Sequence, residues 1–214
     1  MPDRPTEGLR EHPQSPRSIR VHEAAVAAAR ALLHEGGLPA ATTDAIAERS
    51  GVSKATLYRH WPSRVAIAAE AFGREAAEAV PPPDTGSALG DLTEQLRLTG
   101  RFYGGHQGIV FSQLLAAGVT DPGGAAYLRA WFLAGRRRDV AGLWQRWVER
   151  GEVRADVDVE TAVDLLLAPL VLRVLLGHRP LDDADDAAAE LAGLALQGLA
   201  CRQSHRPPNE PGVT

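Results

Sequence analysis

The stretch from Thr42 to Trp61 constrains the fold of this chain more than any other, because it predicts two short helices joined by a tight turn. Gly51 suits the positive φ that ends a helix abruptly, and Ser53 offers an oxygen that can cap the helix after it. Leu57 lies four residues beyond Ser53 and can pack back onto Ile46. This geometry is a helix-turn-helix, whose second helix can enter the major groove of DNA.

The charge around that second helix suits a nucleic-acid surface, although the chain as a whole is acidic. Residues 50–69 carry three basic side chains and no acidic one, whereas the formal net charge of the 214-residue chain is -4. The overall balance argues against a wholly basic nucleic-acid-binding protein. Local charge would therefore have to carry any contact with DNA.

Composition favours an all-α protein without a membrane-spanning segment. Alanine and leucine dominate the 44% of hydrophobic residues, and β-branched residues are fewer. The longest apolar run, 165–176, contains Pro169 and Arg173 and is too short to span a bilayer. The single cysteine, Cys201, excludes an intramolecular disulfide and is typical of a reducing compartment. The polar start of the chain shows no signal-peptide pattern, so we predict a cytoplasmic protein with no membrane partner.

Hydrophobic periodicity and helix-ending residues predict about nine helices in two domains. Residues 1–17 and 202–214 are polar and Pro-rich, which predicts a disordered arm and a disordered tail. The arm is either passive or, through its arginines, in contact with DNA. The first domain, residues 18–80, holds predicted helices at about 18–35, 42–50, 54–60 and 63–80, and Pro81–Pro83 ends it. The second domain, residues 81–201, holds predicted helices at about 87–103, 109–117, 125–150, 159–176 and 183–201, with a glycine-rich loop at 104–108 and a turn at 121–124.

Residues 19–72 resemble the DNA-binding domain of TetR-family transcriptional regulators. The matching residues are Thr42, Ile46, Ala47, Gly51, Val52, Ser53, Thr56, Leu57, Tyr58, His60, Trp61, Ser63 and Arg64. The family usually has phenylalanine in place of Trp61 and lysine in place of Arg64, and both exchanges keep an aromatic plug and a cationic phosphate contact. Residues 149–182 resemble the C-terminal domain of one subgroup, so the resemblance covers nearly everything from Arg17 to Cys201.

Side chains near the start of a helix in the major groove read base edges. Lys54 can donate to guanine from that position, and the small Ala55 can touch a thymine methyl group. Arg59 can reach bases or phosphates, and the resemblance implies further phosphate contacts. The predicted DNA-contacting residues are Thr42, Thr43, Ser53, Lys54, Ala55, Thr56, Tyr58, Arg59, His60 and Arg64. The alternatives are that Tyr58 and His60 pack between helices and that Lys54 is merely solvated.

The last two predicted helices are apolar enough to join two copies of the chain. Two helix-turn-helix motifs related by a two-fold axis read a palindrome, which favours a homodimer on a double-stranded DNA operator. The predicted interface residues are Leu165, Leu172, Leu176, Leu191, Leu194 and Leu199. The alternative is that these leucines form only the core of the second domain.

Aromatic residues concentrate in the second domain, where they either line a small-molecule cavity or form an ordinary core. The resemblance implies a sensor domain, so we predict that a small apolar or aromatic effector binds between the helices at 63–80 and 159–176. The predicted pocket residues are Phe102, Tyr103, His106, Phe111, Gln113, Trp131, Trp144 and Leu167.

The sequence contains no HExxH zinc pattern, nucleophile elbow, P-loop or dinucleotide fingerprint, so we predict neither an enzyme nor a cofactor or metal site. Together with the resemblance, this predicts a ligand-responsive transcriptional regulator. Its expected mode is repression, by a dimer that binds a palindromic operator and is released by a small molecule. The alternative is a helical DNA-binding or protein-interaction module without an effector.

Overall fold

Packed helices make up the protein in a computed structural model that describes residues 15–178 and 184–199. In chain order they are α1 (Pro16–Ala40), α2 (Thr43–Ser50), α3 (Lys54–His60), α4 (Arg64–Ala79), α5 (Ala88–Tyr103), α6 (His106–Thr120), α7 (Pro122–Tyr127), a π-helical segment (Leu128–Leu133), α8 (Ala134–Glu149), α9 (Val159–Leu176) and α10 (Ala184–Leu199). The chain runs from α7 through the π-helical segment into α8 without a break, so the described residues form nine helical rods. The predicted all-α class is confirmed.

The central helix is α4, because it packs against α1 on one side and against α6, α7 and the π-helical segment on others. Small side chains permit this crowding: Ala66, Ala68, Ala69 and Ala71 are each fully buried. Gly73 allows a close approach of the backbone, since a Cβ there would lie 2.7 Å from the carbonyl oxygen of Trp131. A larger residue on these faces of α4 would force neighbouring helices apart.

Three predicted helix boundaries in the N-terminal half needed revision. The first helix begins at Pro16 rather than at 18, because Ser15 caps it by accepting a hydrogen bond from the amide of Ser18 at 3.2 Å. Gly36 and Gly37 interrupt the helix as expected, with φ of 67° at Gly37, but helical turns resume as far as Ala40. The predicted loop at 104–108 shrinks to two glycines, since α6 already begins at His106.

The predicted turn at 121–124 is the beginning of a helix. Asp121 accepts a hydrogen bond from the amide of Gly124 at 2.9 Å, and Pro122 occupies the first helical turn, where its missing N–H costs nothing. The single long helix predicted for 125–150 is therefore a longer rod, and a π-helical segment interrupts its α-helical hydrogen bonding.

A buried carboxylate ties α5 to the end of α8. Asp91 is fully buried and accepts hydrogen bonds from the indole of Trp147 at 2.8 Å and from the amide of Thr85 at 2.6 Å. Burial raises the pKa of Asp91, but these hydrogen bonds and that from Arg150 outweigh burial and leave the pKa below its ordinary value. The group is therefore ionised at neutral pH, and it holds the far end of the second domain together.

Residues 1–14, 179–183 and 200–214 lie outside the described part of the chain, and with them the predicted tail, most of the predicted arm and Cys201. Among the helices that are described, none combines the length and the apolar character needed to cross a bilayer.

Candidate functional site

The turn between α2 and α3 has the capping chemistry that the sequence predicts. Thr42 caps α2 by accepting from the amide of Ala45 at 3.1 Å, and Gly51 ends that helix with φ of 69°. Ser53 caps α3 by accepting from the amide of Thr56 at 3.3 Å. These local bonds fix the angle at which α3 leaves the turn, and we call α3 the recognition helix.

The predicted DNA-contacting residues lie on or directly before α2, the recognition helix and α4. Thr42, Ser53, Lys54, Ala55, Tyr58 and Arg59 are exposed, and Thr43, Thr56, His60 and Arg64 are half-buried. An apolar anchor holds the recognition helix from behind, since Leu57 and Trp61 are each 1% exposed. The recognition helix therefore presents Lys54, Tyr58 and Arg59 outward while its apolar side faces the core.

Ion pairs and hydrogen bonds preorganise several of these side chains. The ammonium of Lys54 lies 2.5 Å from a carboxylate oxygen of Asp44, and the hydroxyl of Tyr58 lies 3.5 Å from that of Thr43. The hydrogen bond with Asp44 raises the pKa of Lys54, which keeps it cationic. Because both partners are exposed, such a pair is weak and can open when a phosphate or base competes.

Arg64 and His60 also contribute to packing inside the protein. Arg64 donates to the carbonyl of Leu38 at 2.7 Å, which ties the first turn of α4 to the end of α1. The ring of His60 lies 5.5 Å from that of Trp61 and 5.8 Å from that of His22, so the packing alternative describes part of its environment.

Glu70 is the residue of this region that the sequence reasoning missed. It is 1% exposed on α4, and it accepts hydrogen bonds from the indole of Trp61 at 2.8 Å and from Arg74 at 2.8 Å, with His22 Nε2 at 2.7 Å. Burial raises the pKa of Glu70, but the contacts with His22, Trp61 and Arg74 prevail and lower it below its ordinary value. One carboxylate thus joins α1, the residue after the recognition helix and α4.

The second domain contacts the recognition helix directly. The hydroxyl of Tyr127, at the end of α7, donates to the carbonyl oxygen of His60 at 3.0 Å. At the start of the same rod, a Cβ on Gly124 would lie 2.5 Å from a side-chain carbon of Val65. The rod therefore fits tightly around the segment that links the recognition helix to α4.

A second junction connects α1 to α6. Gln113 accepts a hydrogen bond from the amide of Leu38 at 2.8 Å, and His106 Nε2 lies 2.7 Å from the carbonyl oxygen of Leu33. Gly37 makes room for this contact, because a Cβ there would lie 2.5 Å from the side-chain oxygen of Gln113. Two residues predicted for the ligand pocket thus serve instead to join the two domains.

A cavity of about 530 Å³ lies between α4, α5, α6, the π-helical segment, α8 and α9. Of the predicted pocket residues, Tyr103, Phe111 and Leu167 line it. Phe102, His106, Gln113, Trp131 and Trp144 do not: the guanidinium of Arg74 lies over the ring of Trp131 at 5.6 Å, and Trp144 packs against Trp147 at 6.2 Å. Lining residues absent from the predicted set include Val80, Gln95, Thr99, Phe132, Val140 and Val171.

The wall of this cavity is mostly apolar with a few polar groups. Gln95 Oε1 and the Tyr103 hydroxyl are buried and have no hydrogen-bond partner among the described residues. Burial raises the pKa of Tyr103 far above its ordinary value, so its hydroxyl stays protonated. Gln95, Thr99 and Tyr103 recur every four residues along α5, a polar spacing in the sequence that could have identified this face.

The predicted dimer residues fall into two groups. Leu165, Leu172 and Leu176 of α9 and Leu194 of α10 are 51–65% exposed, so they present apolar surface to the outside. Leu191 is half-buried and Leu199 is buried at 6% exposure, because α10 packs along α5 of the same chain. Leu199 therefore lies in the core of the protomer and not on the exposed surface where a dimer interface was predicted. Leu172 also lines the cavity.

The described residues hold no group of three or more His, Cys, Asp or Glu side chains placed to bind a metal ion.

Sequence comparison matches both halves of the chain to protein families of transcriptional regulators. The family described as "Bacterial regulatory proteins, tetR family" matches residues 25–71, and that described as "Tetracyclin repressor-like, C-terminal domain" matches residues 82–192. The uncharacterised HTH-type transcriptional regulator YdeS of Bacillus subtilis is 36% identical over 169 residues, which are 79% of this chain and 85% of YdeS. The uncharacterised HTH-type regulator Mb1581 of Mycobacterium bovis is 31% identical over 178 residues, 83% of this chain and 84% of that protein.

A solved structure supports the same assignment in three dimensions. The TetR family transcription regulator SCO0332 superposes with a TM-score of 0.76 at 32% identity. The match covers 85% of this chain and 100% of that one, so it extends over both domains.

Proposed function

The chain belongs to the TetR family of transcriptional regulators, and we propose that it represses transcription as a cytoplasmic homodimer that a small molecule releases from a palindromic operator. Three features support this proposal: the outward-facing surface of the recognition helix, the exposed leucines of α9 and α10, and the apolar cavity. Each corresponds to one of the three contacts that such a regulator must make, with DNA, with a second copy and with an effector.

The DNA contact rests on the recognition helix. Its first residues Lys54, Ala55 and Thr56 would face base edges, and Thr42, Tyr58 and Arg64 would lie beside phosphates. The carboxylate of Asp44 pairs with Lys54 in the free protein. This ion pair would open on binding, so that Lys54 contacts DNA instead. Salt should weaken operator binding, because phosphate contacts release counterions.

The dimer contact rests on the leucines that α9 leaves outside. Large apolar side chains that are half or more exposed, such as Leu165, Leu172 and Leu176, are stabilised by burial against a second copy. Leu194 extends the same chemistry onto α10. An isologous pairing of these faces would relate the two recognition helices of the dimer by a two-fold axis.

The observation that carries the release step is that one helical rod contacts both the cavity and the recognition helix. Phe132 and Leu133 line the cavity, and Tyr127, little more than a turn earlier, donates to the carbonyl of His60. The π-helical segment lies between these contacts and packs on Gly73 of α4. If a ligand binds more tightly when the rod takes one of two positions, its binding would shift the rod to that position. The recognition helix would move with the rod.

Operator binding in the presence of effectors tests the proposal. A duplex enriched from a random library would be titrated by fluorescence anisotropy, with and without each compound of a panel that includes neutral and charged, aromatic and aliphatic molecules. We expect a compound that binds the protein to weaken operator binding about tenfold, which is within usual allosteric coupling. Leu167→Trp, which fills the cavity, should abolish this effect and leave DNA binding in place. Cavity binding without any change in operator affinity would favour a module that has no effector.

A further inference from the structure

One face of α5 supplies the uncharged polar residues that line the cavity. Gln95, Thr99 and Tyr103 follow one another at four-residue spacing, and all three are buried and line the cavity. Thr99 is satisfied within the helix, since its hydroxyl donates to the carbonyl of Gln95 at 2.7 Å. The two outer residues differ, because Gln95 Oε1 and the Tyr103 hydroxyl have no protein partner among the described residues.

Buried polar atoms without a partner are uncommon, because each loses its hydration without compensation. Gln95 is 3% exposed and Tyr103 is 9% exposed, so bulk solvent reaches neither well. Because both residues line the cavity, their unpartnered atoms are the groups that the polar groups of a ligand would meet. Gln95 offers an acceptor and the protonated Tyr103 hydroxyl offers a donor.

The surroundings of these two groups define the rest of the ligand. Thirteen of the nineteen lining residues are apolar, and the Tyr103 ring lies 5.1 Å from that of Phe111. The charged groups of the wall have partners: Arg136 donates to Asp139 at 2.5 Å, and Arg137 lies 2.7 Å from Asp164. A formal charge on the ligand would meet no unpaired opposite charge among the lining residues, so it would be costly to desolvate.

We infer that the effector is an elongated, uncharged aromatic molecule with a polar group at each end, one accepting from Tyr103 and the other donating to Gln95. The two residues are eight positions apart on α5. At the rise of an α-helix this separates their Cα atoms by about 12 Å. This inference rests on the proposed sensor function and specifies the chemistry that the sensor reads.

Four biphenyls of one shape test it by equilibrium dialysis against the full-length protein. They are biphenyl, 4-hydroxybiphenyl, 4,4′-dihydroxybiphenyl and biphenyl-4,4′-dicarboxylate. Two hydrogen bonds at about 1 kcal/mol each should make the dihydroxy compound bind about tenfold or more tighter than biphenyl, with the monohydroxy compound between them. The dicarboxylate should bind more weakly than biphenyl.

Two isosteric variants assign the effect to the two residues. Tyr103→Phe and Gln95→Met should each weaken binding of the dihydroxy compound about fivefold. Biphenyl binding should be unchanged in both, which also shows that the cavity is intact. Gln145→Met, at an exposed site on α8, is the matched control and should change nothing.

The outcomes separate this inference from the proposed function. Equal binding of biphenyl and its dihydroxy form, or tightest binding of the dicarboxylate, would overturn the inference and leave a sensor of different chemistry. Binding of none of the four compounds would overturn the inference too, whereas the sensor function is judged by operator release with the wider panel.

Discussion

The hydroxyl of Tyr127 donates a hydrogen bond of 3.0 Å to the carbonyl oxygen of His60, the last residue of the recognition helix. Tyr127 is 3% exposed and directly precedes the π-helical segment, whose Phe132 lines the cavity. A buried hydrogen bond therefore connects the end of the recognition helix to the rod that lines part of the cavity. The proposed release of DNA by a ligand requires this connection.

Removal of the Tyr127 hydroxyl should weaken the junction without disturbing its packing. We expect Tyr127→Phe to lower the free energy of unfolding by about 1 kcal/mol, because one buried hydrogen bond is lost while the ring remains. Urea denaturation measures the change. Tyr58→Phe, whose hydroxyl is exposed and 3.5 Å from Thr43, should cost less than half as much, and equal losses would contradict a special role for Tyr127.

A methyl group at Gly73 should force α4 away from the π-helical segment. The added Cβ would lie 2.7 Å from the carbonyl oxygen of Trp131, a backbone atom that cannot move alone. We expect Gly73→Ala to destabilise the protein by about 2 kcal/mol through overpacking.

Gly142→Ala is the matched control for that substitution. Gly142 lies in α8 with open space around its Cβ position. Alanine there should stabilise the protein by about 0.5–1 kcal/mol, since glycine is the poorer helix former. Thermal unfolding of the two variants should therefore shift in opposite directions, and a shift in the same direction would show that the close approach at Gly73 is not a constraint.

Glu70 should make the stability of the protein depend on pH in the acid range. Its pKa lies below the ordinary value of 4.5 in the folded state, so its contribution is complete above about pH 4.5 and is lost as the pH falls through the folded-state pKa. Glu70→Gln should cost about 3 kcal/mol at pH 7, because it leaves Arg74 and His22 without their buried partner.

The pH profile distinguishes this role from simple packing. The difference in unfolding free energy between wild type and Glu70→Gln should shrink as the pH falls from about 4.5 through the folded-state pKa of Glu70, because the unfolded state takes up the proton first. Glu78→Gln, whose carboxylate is 64% exposed, should cost less than about 0.5 kcal/mol at every pH. A pH-independent loss for Glu70→Gln would refute the ionised role of Glu70.

Lys54 should bear much of the base-specific binding. We expect Lys54→Ala to weaken binding to the enriched operator by about 1–3 kcal/mol and to relax specificity at one position of each half-site. Mobility-shift titration against operator and random duplexes measures both effects. An equal loss on the two duplexes would instead assign Lys54 to a phosphate.

The chain contains no other lysine, so an amine-reactive ester labels Lys54 and otherwise only the N-terminus. Mass spectrometry should show that operator DNA slows labelling of Lys54 several-fold more than random duplex does. Identical labelling with and without operator would place this residue outside the interface.

The helix-turn-helix could be predicted from sequence because its signals are local. Thr42, Gly51 and Ser53 each act on backbone within three residues of themselves, and the structure has the caps that they predict. The segment 104–108 was harder, because glycines that look like a loop also tolerate a helix start when His106 finds a partner on α1.

The remaining features depend on contacts between distant residues. A glutamate on a helix normally faces water, and Glu70 is buried only because His22, from another helix, and Trp61 come together around it. The pocket prediction weighted aromatic residues, but Trp144 and Trp131 pack elsewhere, while Gln95 was overlooked as an ordinary polar residue. Leu199 was predicted at the dimer interface, but α10 packs along α5 of the same chain and Leu199 is buried.

Operator recognition by a dimer is tested most directly by the DNA that the purified chain selects from a random duplex library. We expect enrichment of an inverted repeat bound by two protomers, with half-sites about a helical turn or more apart, and loss of that enrichment in Lys54→Ala. Operator recognition by a dimer would be contradicted if no sequence were enriched, or if the enriched sequence were bound by a single protomer and unaffected by Lys54→Ala.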